Sequence, residues 1–430
     1  MLKSQTRLNK TPIQFMRKSH KIIISGVIGN ILENYDYILY ANFAVIIAKL
    51  FFPQTDLYTS MLATFGVFAA GFFMRPIGAV IFGHIGDKYG RKIALSASIM
   101  LMSIPTALIG LLPDYSKIGI LAPIALLIIR LLQGVSIGGE TSGFMTYLME
   151  SMPDSKRKAL LGSIALSSTA LGLFFGFLAS FICNFYFSGS ETAWRIPFLI
   201  SFPIGLIGIY IRTKLDESIE FKTLRDKGQL AKFPLKELFK NHTKRFFVIC
   251  GLFVSISIPF YIFFAFLATF LVKISHYTQL QVSIIYLICT FAFGCFAPIS
   301  GWLSDRFGIY KVLLCTIITF AAFLFPVFTL IFSSNFYQTL TGCLIFIFLI
   351  TLYQGSIPSI ILQIFPTKVR AIGTAFSFNM VSAICGGLAP LVLTWLIKVS
   401  ENYWVIVGYL LISSAITILC LLAGRKARLF

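Results

Sequence analysis

Charged residues are scarce in this sequence. Only 12% of its 430 residues are Asp, Glu, Lys or Arg, whereas roughly a quarter are charged in soluble domains. Hydrophobic residues make up 57%. This balance excludes an ordinary soluble domain, so the sequence predicts an integral membrane protein whose main surroundings are the lipid bilayer.

Acidic residues are the rarer charged type, 16 against 36 Lys and Arg, which gives a net charge of +20. A basic balance of this size could suggest nucleic acid, but that partner needs a soluble face. Arg75 and Arg130 fall inside apolar runs, five bases lie on one set of alternating loops, and the other 29 lie on the opposite set and the termini. The positive-inside rule therefore places both termini in the cytoplasm, and no nucleic acid is expected as a partner.

Clustered metal-binding and nucleophilic side chains are also missing. The eight cysteines are scattered without a Cys-x-x-Cys spacing, and there are only four histidines. The sequence therefore predicts no disulfide framework, no metal site and no cofactor. Because no nucleophile is grouped with a base, it does not predict an enzyme.

Long apolar runs are what the sequence has instead. With about 20 apolar residues per crossing as the measure, we predict an all-α membrane protein of 12 transmembrane helices. The predicted spans lie near residues 22–49, 61–83, 93–112, 118–149, 159–187, 195–211, 246–273, 281–303, 311–333, 337–363, 371–398 and 403–423. The first run is too long and too acidic for the core of a cleaved signal peptide, so it is expected to remain as the first helix.

The predicted organisation is two six-helix bundles, 22–211 and 246–423. Residues 212–245 join them and carry ten Lys or Arg and five Asp or Glu. This composition predicts a cytoplasmic linker that is partly an amphipathic surface helix. The segments 1–21 and 424–430 are predicted to be cytoplasmic ends.

One charged turn occurs twice in the chain. Residues 83–92, GHIGDKYGRK, lie between the second and third predicted spans. Three of its positions recur 218 residues later, Gly83, Asp87 and Gly90 as Gly301, Asp305 and Gly308. Two further echoes, a Pro-x-x-x-Arg and a Gln-Gly, follow in the same order at offsets of 213 and 221. The repeats predict one six-helix unit used twice, with the bundles related by pseudo-twofold symmetry.

The composition of the turn suits a helix-to-helix contact. Glycine allows close approach and tight turns, and an Asp can cap a helix or pair with an Arg. We predict that a cytoplasmic gate is formed by Gly83, Asp87, Gly90, Arg91, Glu140, Asp305 and Arg306. Glu140, near the cytoplasmic end of the fourth span, is expected close to Asp87 and Arg91, in either a structural or a gating role.

The two halves match in their loops but differ in their buried charges. Glu33 and Asp36 lie in the first span, Arg75 in the second and Arg130 in the fourth, while the seventh span has no acid. An ionisable side chain at bilayer depth costs roughly 3 kcal/mol. These side chains must therefore face a cavity or one another.

Glu33, Asp36 and Tyr40 share one helical face, which predicts an aqueous path along it. An acid there beside an Arg can bind and release a proton as the Arg moves. The predicted proton-coupling and substrate cavity comprises Glu33, Asp36, Tyr37, Tyr40, Arg75, Arg130 and Gln133. Purely structural pairing of Asp36 or Arg130 remains an alternative, and Arg75 could instead extend to the cytoplasmic surface.

Several stretches resemble one branch of a known family. The turn at 83–92 resembles the loop between the second and third helices of the major facilitator superfamily. Residues 29–40, GNILENYDYILY, are similar to the G-N-x-L-E-W-F-D-F-x-L-Y pattern of its metabolite:proton symporters, except that Asn34 stands where the pattern has Trp. Further agreement comes from RPIG at 75, RLLQG at 130, WRIPF at 194 and LDES at 215.

The resemblance implies proton-coupled uptake of a small polar solute by alternating access. The chain looks most like the proline/betaine group, so a zwitterionic osmolyte such as proline or glycine betaine is the expected solute. Symport of a carboxylic acid such as 2-oxoglutarate is the alternative, and a non-transporting membrane sensor is a third reading. The resemblance further implies a monomer in a bacterial inner membrane, with the solute and protons as its partners.

Overall fold

The computed structural model describes residues 12–52, 57–151, 157–186, 192–214, 216–227, 234–273 and 275–429. Every regular element in these ranges is helical. In the first half, helices α1 to α8 span Pro12–Asn42, Ala44–Phe51, Leu57–Lys88, Arg91–Leu111, Tyr115–Ile118, Leu121–Ser151, Lys158–Tyr186 and Arg195–Thr213. The linker contains α9 and α10, Ile219–Asp226 and Pro234–Asn241.

The second half repeats the arrangement with more interruptions. Helices α11 to α19 span Thr243–Tyr261, Ala268–Lys273, Gln279–Phe307, Ile309–Ile331, Phe336–Gln354, Ile357–Ile364, Arg370–Val381, Ala389–Ser400 and Val405–Lys426. Two π-helical segments, Ile262–Leu267 and Ser382–Gly386, continue α11 and α17. Pro259 lies just before the first π-helical segment, and a proline inside a helix removes a backbone donor.

Eleven helical stretches in the described residues are long and apolar enough to cross a membrane. Helix α1 is not among them, since Asn30, Glu33, Asn34 and Asp36 make its middle polar. All four side chains are nevertheless buried, because α1 packs against α4, α6, α7 and α8. Counted with α1, the protein is the predicted twelve-helix membrane bundle.

Equivalent helices of the two halves pack in equivalent pairs, which shows the pseudo-twofold relation directly. In the first half α1 packs on α7, α3 on α6, and α4 on α8. In the second half α11 packs on α17, α13 on α15, and α14 on α19. The halves then meet reciprocally, with α7 along α13 and α17 along α3. A repeated unit therefore forms both bundles and the interface between them.

The linker helices pack on the end of the protein that holds the 83–92 turn, here called the turn-bearing end. Phe221 of α9 and Leu238 of α10 are buried, as expected for amphipathic helices lying on a surface. Helix α10 contacts α3 and α17, so it bridges the two halves. The bundle and linker boundaries remain predictions, and residues 1–11 of the predicted N-terminal segment lie outside the described residues.

Candidate functional site

A cavity lies between the two halves, with about 880 Å³ of empty space that includes some open to solvent. We call it the central cavity. Most of its wall is apolar or aromatic, with only Glu33 and Arg75 charged among the lining residues. The aromatic residues of the wall are Tyr37, Phe253, Phe260, Tyr261 and Phe378.

Glu33 projects from α1 and is held by a hydroxyl group. The Oγ1 of Thr141, on α6, donates to its Oε2 at 2.7 Å. No ion-pair partner lies within 4 Å of Glu33 in the described part of the chain. Its carboxyl group is therefore buried, anchored on one side and free to meet a ligand on the other.

Arg75 enters the central cavity from α3. Its Nη1 donates to the Tyr261 hydroxyl at 2.8 Å, which joins the two halves. Its guanidinium also lies 3.8 Å from the centre of the Phe72 ring, a cation–π contact. Arg75 is buried and has no acid within ion-pairing distance among the described residues. It does not extend to the cytoplasmic surface, the alternative left open by the sequence.

Asp36 forms a separate polar cluster inside the first half. Arg130 Nη1 donates to its Oδ2 at 2.7 Å, and Gln133 Nε2 donates to its Oδ1 at 2.8 Å. The Arg130 guanidinium lies 3.7 Å from the centre of the Tyr40 ring. Asp36 and Arg130 are buried, so the acid and base predicted on neighbouring helices do form a pair.

This cluster lines a second, smaller cavity between α1, α3 and α6, with about 280 Å³ of empty space that includes some open to solvent. We call it the inner cavity. Asp36, Arg130 and Gln133 line the inner cavity only, whereas Tyr37 and Arg75 line both cavities. Tyr40 lines neither, and its hydroxyl donates to the Thr64 carbonyl at 3.1 Å. The sequence-predicted face of α1 is thus divided between two compartments with Tyr37 and Arg75 between them.

The inner cavity is bounded by α3 and α6, whose backbones approach each other closely. A Cβ atom on Gly138 would meet the Arg75 carbonyl oxygen, and one on Gly134 would meet the Gly71 carbonyl oxygen. Glycine removes the side chains that would hold these backbones apart. This contact holds Arg75, on α3, and Arg130, on α6, in the wall of the same inner cavity.

The 83–92 turn makes contacts across the interface at the turn-bearing end. Asp87 pairs with Arg91, and its Oδ2 accepts a hydrogen bond of 3.1 Å from the Ile372 backbone N–H, near the start of α17. A Cβ atom on Gly83 would contact Ile372 at 2.9 Å. Gly90, at φ 124°, has a backbone conformation that favours glycine. These contacts hold α3 against α17.

The second copy of the turn makes the reciprocal contact. The Asp305 carboxylate accepts hydrogen bonds of 2.9 and 3.0 Å from the backbone N–H groups of Ala159 and Leu160, at the start of α7. Asp305 is exposed, unlike Asp87. Arg306 is exposed too and lies over the Trp302 ring. The gating role of these residues remains a prediction.

Glu140 pairs with a residue that sequence reasoning assigned to the linker. Its carboxylate accepts hydrogen bonds from Arg212 and from the Ser98 hydroxyl. Arg212 lies in the last turn of α8 and has no exposed surface. Glu140 thus joins α6 to α8 and α4, rather than contacting Asp87 and Arg91 as expected. The sequence offered one signal for this pair. Glu140 is an isolated acid inside a span, and a buried acid needs a basic partner.

Tyr261 and the aromatic wall of the second half were also missed by sequence reasoning. Tyr261 lies next to the first π-helical segment, and a Cβ atom on Gly386, in the second, would collide with its ring. With 45 phenylalanines in the chain, composition gives no basis for choosing the few that line a cavity. Among the described residues no group of three or more His, Cys, Asp or Glu could hold a metal ion.

A twelve-helix bundle with a central cavity between pseudo-symmetric halves defines a membrane carrier. The family description "Major Facilitator Superfamily" matches residues 37–390. The chain belongs to the major facilitator superfamily and is a multi-pass transporter of small solutes.

Two known transporters are similar to the chain in sequence. The chain is 33% identical over 416 residues to the proline/betaine transporter of Salmonella typhimurium, covering 93% of this chain and 82% of that protein. It is 32% identical over 419 residues to the glycine betaine/proline/ectoine/pipecolic acid transporter OusA of Dickeya dadantii, with the same coverage. The protein is therefore related to osmolyte transporters.

Solved structures support the fold. The proton:xylose symporter XylE bound to 6-bromo-6-deoxy-D-glucose superposes with a TM-score of 0.77 over 96% of both chains, at 14% identity. The fold class predicted from the sequence is confirmed.

Proposed function

We propose that the protein is a proton-coupled symporter that takes up a small zwitterionic solute such as proline or glycine betaine. The observation that carries the proposal is the pair of opposite charges in the central cavity. Glu33 and Arg75 line the same space, yet neither has an ion-pair partner in the part of the chain that the structure describes. A solute with both a cationic and an anionic end would complement them.

The wall of the central cavity supports a solute of this kind. Tyr37, Phe260 and Tyr261 surround the space with aromatic rings, and such rings attract ammonium groups through their negative faces. An arginine matches a carboxylate with two parallel hydrogen bonds. We therefore assign the cationic end of the solute to Glu33 and the rings, and its carboxylate to Arg75.

Proton coupling is assigned to the Asp36–Arg130 pair. Protonation of Asp36 removes its attraction for Arg130 and leaves one additional positive charge beside Arg75 and the cavity. That charge favours entry of the solute carboxylate, so proton binding strengthens solute binding. Asp36 and Glu33 lie within one turn of α1, so movement of that helix would affect both sites.

Protons fit this pair better than sodium ions do. Arg130 donates to Asp36 at 2.7 Å and Arg75 lines the same inner cavity. Two guanidinium groups repel a metal cation, although Asp36, Gln133 and Tyr37 bring oxygen atoms to the same cavity. A proton needs only the carboxylate oxygen.

Two outcomes separate the proposal from its alternatives. Purified protein in liposomes with an inward proton gradient is expected to accumulate labelled proline or glycine betaine, with or without sodium, and to lose accumulation when a protonophore is added. Accumulation of 2-oxoglutarate alone would favour the carboxylic acid alternative, in which Arg75 and Arg130 serve an anion. Failure to accumulate any of these solutes would favour a sensor.

A further inference from the structure

The inner cavity collects most of the unpartnered buried polar atoms of the first half. In the described residues of the first half, seven buried side-chain nitrogen or oxygen atoms lack a hydrogen-bond partner. Five belong to residues that line this cavity: Tyr37 Oη, Arg75 Nε, Arg130 Nε, Arg130 Nη2 and Gln133 Oε1. Buried polar groups without partners are costly. Their concentration around one space indicates a polar ligand that donates and accepts hydrogen bonds.

Water is the ligand that fits. A buried water satisfies two to four otherwise unpaired groups, and it needs a polar site with room for one molecule. The inner cavity offers donors from Arg75 and Arg130, an acceptor on Gln133, and the Tyr37 hydroxyl, which can do both. A solute of several heavy atoms has the much larger central cavity instead.

We propose that the inner cavity holds water and that this water, relayed by the Tyr37 hydroxyl, carries protons between Asp36 and the central cavity. Tyr37 lines both cavities, and Asp36 lines only the inner one. The relay rests on the proposed proton coupling, whereas the hydration does not. Tyr37 passes the proton through its own hydroxyl, and it lies between the proton path and the solute.

The groups that face Asp36 are consistent with transient proton passage. Helix α6 contributes Arg130 and Gln133, α4 contributes Thr106 through Gln133, and α3 contributes Arg75. On α1 itself, Tyr40 lies against Arg130, and Glu33 faces the central cavity. The two acids, Asp36 and Glu33, balance the charges of the two arginines, so no net charge opposes the passage of a proton. A metal cation in the inner cavity would be repelled by the two guanidinium groups, which lie nearer to it.

The first test is a matched pair of hydroxyl deletions on one helix. Tyr37→Phe keeps the ring but removes the unpartnered hydroxyl. Tyr35→Phe is the control, because the Tyr35 hydroxyl is already bonded to the Pro197 carbonyl at 2.9 Å and lines neither cavity. Tyr37→Phe is expected to slow proton-driven accumulation about tenfold. This is the factor for losing one hydrogen bond to a charged group.

Solute counterflow, which moves no net proton, provides the second readout of the same variants. Counterflow by Tyr35→Phe is expected to stay within about twofold of wild type, and Tyr37→Phe should lose much less counterflow than proton-driven uptake, since its ring is kept. Proton-driven uptake by Tyr37→Phe equal to that of Tyr35→Phe would overturn the relay. Equal losses of counterflow and proton-driven uptake would also overturn it, by showing a role in solute binding.

Hydration is tested without transport by radiolytic hydroxyl-radical labelling, which modifies side chains beside bound water. Phe72 is buried and lines the inner cavity but not the central one. Phe43 is buried in the first-half core and lines neither. We expect Phe72 to be labelled and Phe43 to be protected. Equal protection of both would overturn the hydrated cavity.

These readouts separate the inference from the proposed function. If wild-type protein shows no proton-driven uptake of any tested solute, the proposed function and the relay fail together, and labelling of Phe72 still decides hydration. If wild-type uptake is proton-driven but Tyr37→Phe behaves as the control does, only the relay fails.

Discussion

The two halves of the protein share a scaffold and differ in their interiors. Both use the same helix pairs, and both use the same turn to hold the start of a helix in the other half. Of the nine Asp, Glu, Lys and Arg side chains buried in the described residues, eight lie in the first half and only Arg370 lies in the second. The duplicated unit thus fixes the architecture, while one copy carries nearly all of the buried charged groups.

The second half contributes uncharged groups to the interior instead. It supplies most of the aromatic wall of the central cavity, and the Tyr261 hydroxyl that accepts from Arg75. Its polar core contacts are mainly between hydroxyl groups and backbone, as in the bonds of Thr417 to Ser255 and to the Gly251 carbonyl. A change of charge in the first half can therefore reach the second through the contact between Arg75 and Tyr261.

The strongest test of this difference between the halves is to neutralise Asp36, a buried acid of the first half. Asp36→Asn is expected to lower proton-gradient-driven accumulation about a thousandfold, since the variant cannot bind and release the coupling proton. Counterflow of the solute should continue. Both rates are measured in proteoliposomes with equal amounts of protein.

Glu401→Gln is the control in the second half, because Glu401 lies on an exposed loop after α18. It should leave both rates unchanged. Accumulation by Asp36→Asn at the rate of the control would mean that Asp36 serves only to pair with Arg130.

The sequence predicted the scaffold well, because spans, loop charges and repeated turns are local signals. It also expected an acid of the first span near an arginine of a neighbouring helix, and Asp36 lies beside Arg130. It did not predict that Glu33 and Asp36 face different cavities. Helical periodicity says which side chains share a face, but the neighbouring helices decide how that face is divided, and here Tyr37 and Arg75 divide it.

Arg212 shows why the cytoplasmic end of a span is hard to place. A basic residue at the end of an apolar run resembles the start of a cytoplasmic loop. Whether it turns inwards depends on an acid elsewhere in the fold, here Glu140 on α6. Most of the aromatic wall of the central cavity was unpredictable for a related reason, since it comes from α11 and α17 in the second half.

A second prediction concerns the Glu140–Arg212 pair, which has almost no exposed surface. Glu140→Gln leaves Arg212 buried without its acid, so it should lower the free energy of unfolding by about 3–5 kcal/mol. Thermal unfolding in detergent measures the change. Replacing both residues with Met should recover most of the loss, since an apolar pair leaves no uncompensated charge.

The exposed pair of Arg225 and Asp226 in the linker is the matched control. Its side chains are 58% and 71% exposed, at an N–O distance of 3.6 Å. Arg225→Gln should not change the unfolding temperature measurably, because exposed pairs are weakened by solvent and salt. Equal effects of Glu140→Gln and Arg225→Gln would show that the buried pair does not hold the first half together.

A third prediction concerns which half holds the solute carboxylate at the central cavity. Arg75→Lys should raise the solute KM about 30-fold, because lysine lacks the two parallel donors that match a carboxylate. Tyr261→Phe removes only the contact between the halves, and should raise KM about threefold or less. Initial uptake rates over a range of solute concentrations measure both. If Tyr261→Phe has the larger effect, the solute carboxylate is held by the second half instead.

The smallest expected effect compares the two copies of the turn. Asp305→Ala should destabilise the protein by about 1 kcal/mol, because an exposed carboxylate that accepts two N–H groups at the start of α7 acts as a helix cap. Asp87→Ala should cost about 2 kcal/mol, since it also removes the acid paired with the buried Arg91, whose guanidinium keeps its hydrogen bond to the Thr367 carbonyl. Unfolding temperatures of the two variants, measured side by side, give the difference. Equal losses would mean that the buried charge in the first copy adds nothing to the shared capping contact, and that the halves differ only around the cavities.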